Sequence, residues 1–86
     1  MWKIVYKQSV QKDLKKIPKK MKYLIKKAIE EKLKINPTYF GTHLKQNLKG
    51  LMKLRVGNYR IIYSVEKDIV TVFVIKIGHR KKVYKI

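Results

Sequence analysis

The sequence predicts an α+β fold of element order β-α-α-β-β-β, in which a helical hairpin packs on one face of a small, mainly antiparallel twisted sheet. Three observations lead to this prediction: a helical apolar stripe in the first half, apolar alternation in the last third, and a Gly-Asn pair between two apolar runs. The 86 residues predict one domain, residues 1–86. The sequence contains no cysteine, which excludes disulfides and thiolate metal sites.

The first half predicts a strand and two helices. Residues 2–6 (WKIVY) combine aromatic and β-branched side chains, which is typical of a strand. Residues 9–35 carry apolar residues at helical spacing, with Ser9 as the predicted N-cap. Pro18 divides this stretch into two helices, because proline ends one helix and suits the first turn of the next. The second helix is expected to end before Pro37, since the residue preceding a proline avoids the helical conformation.

The second half predicts a loop followed by a β-meander. Residues 37–50 are predicted as the loop, with glycines near both ends. Three strands are predicted at residues 51–56, 59–66 and 69–77. Gly57-Asn58 is a two-residue hairpin signal, and Lys67-Asp68 is a weaker turn.

These turns determine which residues of the meander face each other. With Gly57-Asn58 as the turn, Val56 faces Tyr59, and the next pairs on that face are Leu54–Ile61 and Met52–Tyr63. With Lys67-Asp68 as the turn, the pairs on that face are Val65–Val70, Tyr63–Val72 and Ile61–Val74. A four-residue turn is expected to keep the same register. Because all these residues are apolar, we expect the helices to cover this face.

The opposite face of the predicted sheet carries two of the three arginines of the chain. Arg55 falls directly opposite Arg60, and Lys53 lies two residues along on the same face. Facing like charges destabilise a sheet, whereas paired guanidinium groups suit a phosphate. The third arginine of the chain, Arg80, follows the last predicted strand. The other residues predicted for this face are Ser64, Thr71, Ile62, Phe73 and Ile75.

The net charge of +18 predicts a polyanionic partner. Self-repulsion of this size opposes compaction, and counterion release favours binding to nucleic acid. The alternative is a solvated lysine-rich surface. Candidate RNA contacts are Lys19, Lys20, Lys22, Lys26 and Lys27 of the second predicted helix, together with Phe73 as a stacking platform. The sequence has no apolar run of about 20 residues and no apolar h-region at the N-terminus, so we expect a cytoplasmic protein and no membrane contact.

Two sequence blocks carry a family resemblance. They are Lys53–Tyr63 (KLRVGNYRIIY) and Ile77–Tyr84 (IGHRKKVY), and Leu48-Lys49-Gly50 precedes them. Together with the order of elements, they resemble the RelE/ParE superfamily of type II toxin–antitoxin toxins, in its RelE-like branch. The resemblance implies an mRNA interferase that inhibits translation by cleaving mRNA in the ribosomal A site. It also implies metal-free attack by the 2′-hydroxyl, no cofactor, and inhibition by a cognate antitoxin.

The resemblance also assigns candidate catalytic residues, namely Lys53, Arg55, Arg60, Arg80, Tyr84 and His79. Arg55 and Arg60 are expected to bind the phosphate, and Arg80 to bind it or to assist the leaving group. Lys53 or Tyr84 is the candidate general base, and His79 is the other candidate proton carrier.

The sequence leaves other functions open. One is a ParE-like inhibitor of DNA gyrase with the same fold. Another is a basic RNA-binding or ribosome-binding protein without catalysis, and a third is an inactive toxin kept for regulation through its antitoxin.

Overall fold

The protein folds as a five-stranded sheet with helices on one face. The computed structural model describes residues 1–84. The strands are β1 (Lys3–Tyr6), β2 (Thr42–His43), β3 (Met52–Val56), β4 (Tyr59–Glu66) and β5 (Thr71–His79). Their order across the sheet is β1-β5-β4-β3-β2, with β1 parallel to β5 and the other pairs antiparallel. The predicted α+β class and mainly antiparallel sheet are confirmed.

The predicted pair of helices is present. These are α1 (Val10–Lys15) and α2 (Lys19–Ala28), and a π-helical turn, Ile29–Leu33, extends α2. Pro18 is the N-cap of α2, as its position predicted. Ser9 occupies the N-cap of α1, but its side chain makes no capping hydrogen bond. None of the helices within residues 1–84 combines the length and apolar character needed to cross a bilayer.

The prediction of residues 37–50 as a loop is wrong. The segment contains a one-turn helix, α3 (Pro37–Phe40), then β2, and then a 3₁₀ turn over Gln46–Leu48. The Asn36 side chain caps α3 by accepting the N–H of Tyr39 at 3.2 Å. The hydroxyl of Tyr63 on β4 donates to the Pro37 carbonyl at 2.7 Å, which ties α3 to the sheet.

The β3–β4 hairpin has the predicted turn and register. Gly57 has φ of +59°, a conformation that glycine adopts without strain. The pairs Val56–Tyr59, Leu54–Ile61 and Met52–Tyr63 are all observed, and Arg55 pairs with Arg60.

In the β4–β5 hairpin, the residues of β4 pair with other residues of β5 than predicted. The connection takes four residues, a 3₁₀ turn over Lys67–Ile69 followed by Val70, so β5 runs from residue 71 to residue 79. The predicted pairs Val65–Val70, Tyr63–Val72 and Ile61–Val74 are replaced by Val65–Val72, Tyr63–Val74 and Ile61–Ile77. The longer turn moves each partner by two residues and keeps its face. A bulge opposite the Ile62/Tyr63 step then moves the remaining partners by one more residue.

The core lies between the helices and the sheet. Its buried members include Val10, Ile25 and Leu33 from the helical layer and Ile61, Tyr63, Val72, Val74 and Ile77 from the strands. One carboxylate lies at this interface. The pairing of β1 with β5 ends at Val74, so the following residues of β5 have no strand beside them on that edge. Asp13 of α1 accepts the N–H of Ile77 at 3.1 Å.

Candidate functional site

On the face of the sheet that points away from the helices, strands β3, β4 and β5 carry four cations, which we name the arginine face: Lys53, Arg55, Arg60 and Lys76. The register places Arg55 against Arg60, and it places Ile62 between Lys53 and Lys76. The predicted facing arginines are therefore confirmed. The sequence pattern did not predict Lys76 on this face, because without the bulge in β5 its side chain would point toward the helices.

The Arg60 side chain is held at the β3–β4 turn. Its Nη1 donates to the carbonyls of Gly57 and Tyr59, both at 3.0 Å. A guanidinium carries five N–H donors, so these two bonds leave others for an anion. Arg60 is half-buried and Arg55 is exposed.

The third arginine meets the same turn from the C-terminal tail. The backbone N–H of Arg80 donates to the carbonyl of Asn58 at 2.8 Å. Arg80 is exposed. The turn at Gly57-Asn58 is therefore bound by the Arg60 side chain and by the Arg80 backbone, and Arg55 pairs with Arg60 beside it.

The structure brings the two candidate bases together. Lys53 Nζ lies 5.8 Å from the centroid of the Tyr84 ring, within the range of a cation–π contact. Both side chains are half-buried. The preceding residue, Val83, is fully buried and packs beside Gly78, which fixes the tail against the sheet.

His79 lies on the other side of the sheet from the arginine face. It pairs with Tyr59, which packs against the core, and the two rings meet edge-on at 5.6 Å. Its Nδ1 accepts the N–H of Lys81 at 3.2 Å, and its carbonyl accepts the N–H groups of Lys82 and Val83 at 2.9 Å each. His79 thus holds the tail turn that carries Arg80, and it is not brought together with Arg55 and Arg60.

The charges of the arginine face are not neutralised by the described carboxylates. Within residues 1–84 the side-chain ion pair is Glu30–Lys34 at 2.9 Å, both on the helical layer. No group of three His, Asp or Glu side chains in this part of the chain could hold a metal ion. A face of guanidinium and ammonium groups without paired carboxylates is suited to an anion with several oxygens, such as a phosphodiester.

The predicted RNA contacts fall in two places. The five lysines of α2 are exposed on the helical layer, whereas Phe73 is half-buried on the same side of the sheet as the arginine face. Two residues predicted to be open on that side are buried. Thr71 is buried, and its hydroxyl donates to the Ile69 carbonyl at 2.8 Å. Ile62 lies between two lysines, whose aliphatic stems shield apolar neighbours.

Comparison with known sequences decides the family. The sequence profile described as "ParE toxin of type II toxin-antitoxin system, parDE" matches residues 4–84. The chain belongs to the RelE/ParE toxin superfamily. Toxin RelE of Mycobacterium tuberculosis is 30% identical over 73 residues, which cover 85% of this toxin and 75% of that relative.

Solved structures show the same fold. The toxin–antitoxin complex RelBE2 from Mycobacterium tuberculosis contains a chain with a TM-score of 0.86 at 24% identity, covering 92% of this toxin and 98% of that chain. The RelB–RelE antitoxin–toxin complex from Methanococcus jannaschii contains one with a TM-score of 0.72 at 30% identity, covering 93% and 94%. The predicted superfamily and fold are confirmed.

Proposed function

We propose that this toxin is a ribosome-dependent endoribonuclease that cleaves mRNA in the A site. The observation that supports this proposal is the arginine face itself. Arg55 opposes Arg60, Arg80 joins the same turn, and the Lys53–Tyr84 contact lies on a neighbouring row of the sheet. This arrangement supports the proposal, because guanidinium groups suit a phosphate and Lys53 and Tyr84 are side chains that can exchange protons.

The reaction we propose is transfer of the phosphate from the 5′-oxygen to the 2′-oxygen. The 2′-hydroxyl loses its proton to Lys53 as the neutral amine, or to Tyr84 as the phenolate, and attacks the phosphorus. The P–O5′ bond then breaks, and the leaving 5′-oxygen takes a proton from water. The products are a 2′,3′-cyclic phosphate and a 5′-hydroxyl end. Arg55 and Arg60 stabilise the charge that gathers on the phosphate oxygens. Arg80 contacts the phosphate or the leaving 5′-oxygen, which receives a proton.

We also propose that a cognate antitoxin is the inhibitory partner. Both solved relatives described above are complexes of a toxin with an antitoxin. A net charge of +18 strains the free toxin by self-repulsion, and an acidic segment folded onto it would relieve that strain. We expect added salt to raise the melting temperature of the free toxin more than that of the complex.

A second function has one observation in its favour. The profile that matches residues 4–84 is named for ParE, and a ParE-like toxin would act on DNA gyrase. That function would not require the arginine face to bind RNA. Substitutions in the arginine face should then leave toxicity unchanged.

The test is translation of one defined mRNA in a purified system, with 5′ ends mapped by primer extension. Wild type is compared with Arg80→Ala, and a gyrase supercoiling assay runs in parallel. Cuts within A-site codons that Arg80→Ala loses would support the proposal. Gyrase poisoning without cuts would support the ParE-like function. Cuts that persist in Arg80→Ala would contradict the assigned site.

A further inference from the structure

The outward side of α2 carries an exposed tyrosine among lysines. Tyr23 is 64% exposed and lies about 160° around the helix from Ile25, the residue of α2 buried in the core. Residues three and four positions away share its side of a helix. At those positions stand Lys19, Lys20, Lys26 and Lys27, all exposed.

This surface has no partner within the described chain. Among residues 1–84 the aromatic pairs are Tyr39–Phe40 and Tyr59–His79, and the cation–π contact is Lys53–Tyr84. The ring of Tyr23 is therefore in neither kind of contact, and none of the four lysines takes part in the Glu30–Lys34 ion pair. Tyr23 and these lysines therefore contribute little to the stability of the fold.

RNA fits this surface better than a protein segment does. A protein partner needs a groove or an extended apolar area to bury. Lys26 borders a groove between α1 and α2, but Tyr23 and the other three lysines do not line it, and Tyr23 is the one aromatic ring of α2. Proteins that bind single-stranded nucleic acid combine such rings, on which bases stack, with cations that follow the phosphates. The lysine stems are long enough to reach phosphates on both sides of a stacked base.

We propose that the outward side of α2 is a second RNA-binding surface, in which a base stacks on Tyr23 while Lys19, Lys20, Lys26 and Lys27 contact the flanking phosphates. It lies on the helical layer, across the sheet from the arginine face. The proposal deepens the proposed function, because RNA held there would anchor the toxin without entering the cleavage site. Its identification as ribosomal RNA rests on that proposed function.

The test measures binding separately from cleavage. The probe is a fluorescein-labelled 12-nucleotide RNA with 2′-O-methyl groups, which cannot supply the attacking hydroxyl, and binding is followed by anisotropy from 0.1 to 0.4 M salt. Tyr23→Leu should weaken binding about 10-fold with an unchanged salt slope, and Tyr23→Phe should stay within about twofold. Lys20→Gln/Lys27→Gln should also weaken binding about 10-fold, and it should lower the slope by about 1.4, since each phosphate contact contributes about 0.7 on single strands.

A matched control separates this surface from net charge. Lys12→Gln/Lys15→Gln removes the same two charges from exposed positions of α1 and should change binding less than about twofold. Wild-type binding by Tyr23→Leu, or equal losses in the two lysine pairs, would overturn the proposal. Weakened binding of an acidic antitoxin peptide, with RNA binding intact, would also overturn it and would assign the surface to protein. A toxin that binds the probe but cuts no mRNA would instead contradict the proposed function alone.

Discussion

The two sides of strand β4 differ in what their side chains contact. Ile61 and Tyr63 point toward the helices and are fully buried, and the Tyr63 hydroxyl is bonded to Pro37. Arg60, which precedes Ile61, and Ile62, which lies between Ile61 and Tyr63, belong to the other side. There Arg60 faces Arg55. The helix side therefore holds most of the contacts that stabilise the fold, and Ile62 is the residue of β4 that is fully buried on the other side. The arginine face holds a repulsion that the fold tolerates, and an anion would turn this repulsion into attraction. Neighbouring residues of one strand should thus separate stability from activity.

The largest effect on stability is expected from Gly41→Ala. A Cβ at this position would overlap the Tyr63 hydroxyl oxygen and lie 2.8 Å from its Cζ, with the Lys53 carbonyl at 3.1 Å. The phenol would have to move and would lose its bond to Pro37. We expect a loss of about 3 kcal/mol in the free energy of unfolding, measured by urea denaturation. Thr42→Ala, at the exposed neighbour, should change it by less than about 0.5 kcal/mol. Equal stabilities would show that Tyr63 is not packed as described.

The next effect is a pH dependence confined to the helix side. Burial raises the pKa of Tyr63 to about 12 from its ordinary value of 10.0. The folded state therefore disfavours the phenolate, so this contribution is complete below pH 10 and is lost as pH rises toward 12. It amounts to about 3 kcal/mol, at 1.36 kcal/mol for each unit of pKa.

Tyr63→Phe isolates this contribution. Lysine deprotonation affects the wild type and the variant alike, so the difference between their free energies of unfolding reports Tyr63. Below pH 10 the wild type should be more stable by about 1 kcal/mol through the bond to Pro37. Between pH 10 and pH 12 the order should reverse. A difference that stays constant over this range would contradict the assignment.

A smaller effect is expected where the tail crosses from one side of the sheet to the other. His79 lies on the helix side but holds the turn that presents Arg80, through the Nδ1 acceptor of the Lys81 N–H. We therefore propose that His79 is a positioning residue. His79→Ala should lower mRNA cleavage about 10-fold, by analogy with other residues that support a site.

His79→Asn distinguishes positioning from proton transfer. The asparagine Oδ1 stands at the same number of bonds from Cα as Nδ1 and can accept the same N–H, but it cannot carry a proton. Near wild-type cleavage, with hydrogen exchange of the Lys81 amide as slow as in the wild type, is the expected result. Loss of cleavage in His79→Asn with the Lys81 amide still protected would show that the imidazole itself takes part in the reaction.

The smallest effect is a gain of stability on the arginine face. Arg55→Gln removes the charge opposite Arg60 while keeping a polar, exposed side chain. We expect the free energy of unfolding to rise by about 0.5 kcal/mol at low salt and the gain to shrink in 1 M salt. Lys12→Gln, which removes one charge from α1, serves as the control for net charge. A gain no larger than in this control would show that the facing pair costs nothing.

The sequence was informative where local turn chemistry decides the structure. Gly57-Asn58 predicted the β3–β4 register and with it the facing arginines, because a two-residue turn leaves one pairing. α3 could also have been predicted from Asn36-Pro37, an N-cap followed by proline at the first helical position. The bond from Tyr63 to Pro37 joins residues 26 apart, and no local pattern reveals it.

The face of each residue at the end of β5 could not be predicted. One bulge shifts the register after Val74, and this single shift exchanges Lys76 and His79 between the two sides of the sheet. The predicted register has no bulge, and extended to residue 79 it would place His79 on the arginine face. The bulge is accompanied by the hydrogen bond that the Ile77 N–H donates to the Asp13 carboxylate. This is a tertiary contact between residues 64 apart. The sequence therefore predicted the sheet positions of Lys53, Arg55 and Arg60 and did not predict those of Lys76 and His79.

The most direct test of the division between the two sides compares Arg60→Gln with Ile61→Val, adjacent residues of β4. The melting temperature of each variant is measured beside its rate of A-site mRNA cleavage per folded molecule. Arg60→Gln should lose at least about 100-fold in rate while melting within a few degrees of the wild type. Ile61→Val should lose about 1 kcal/mol of stability with an unchanged rate. Full cleavage by Arg60→Gln, or equal losses of rate in both variants, would contradict the account.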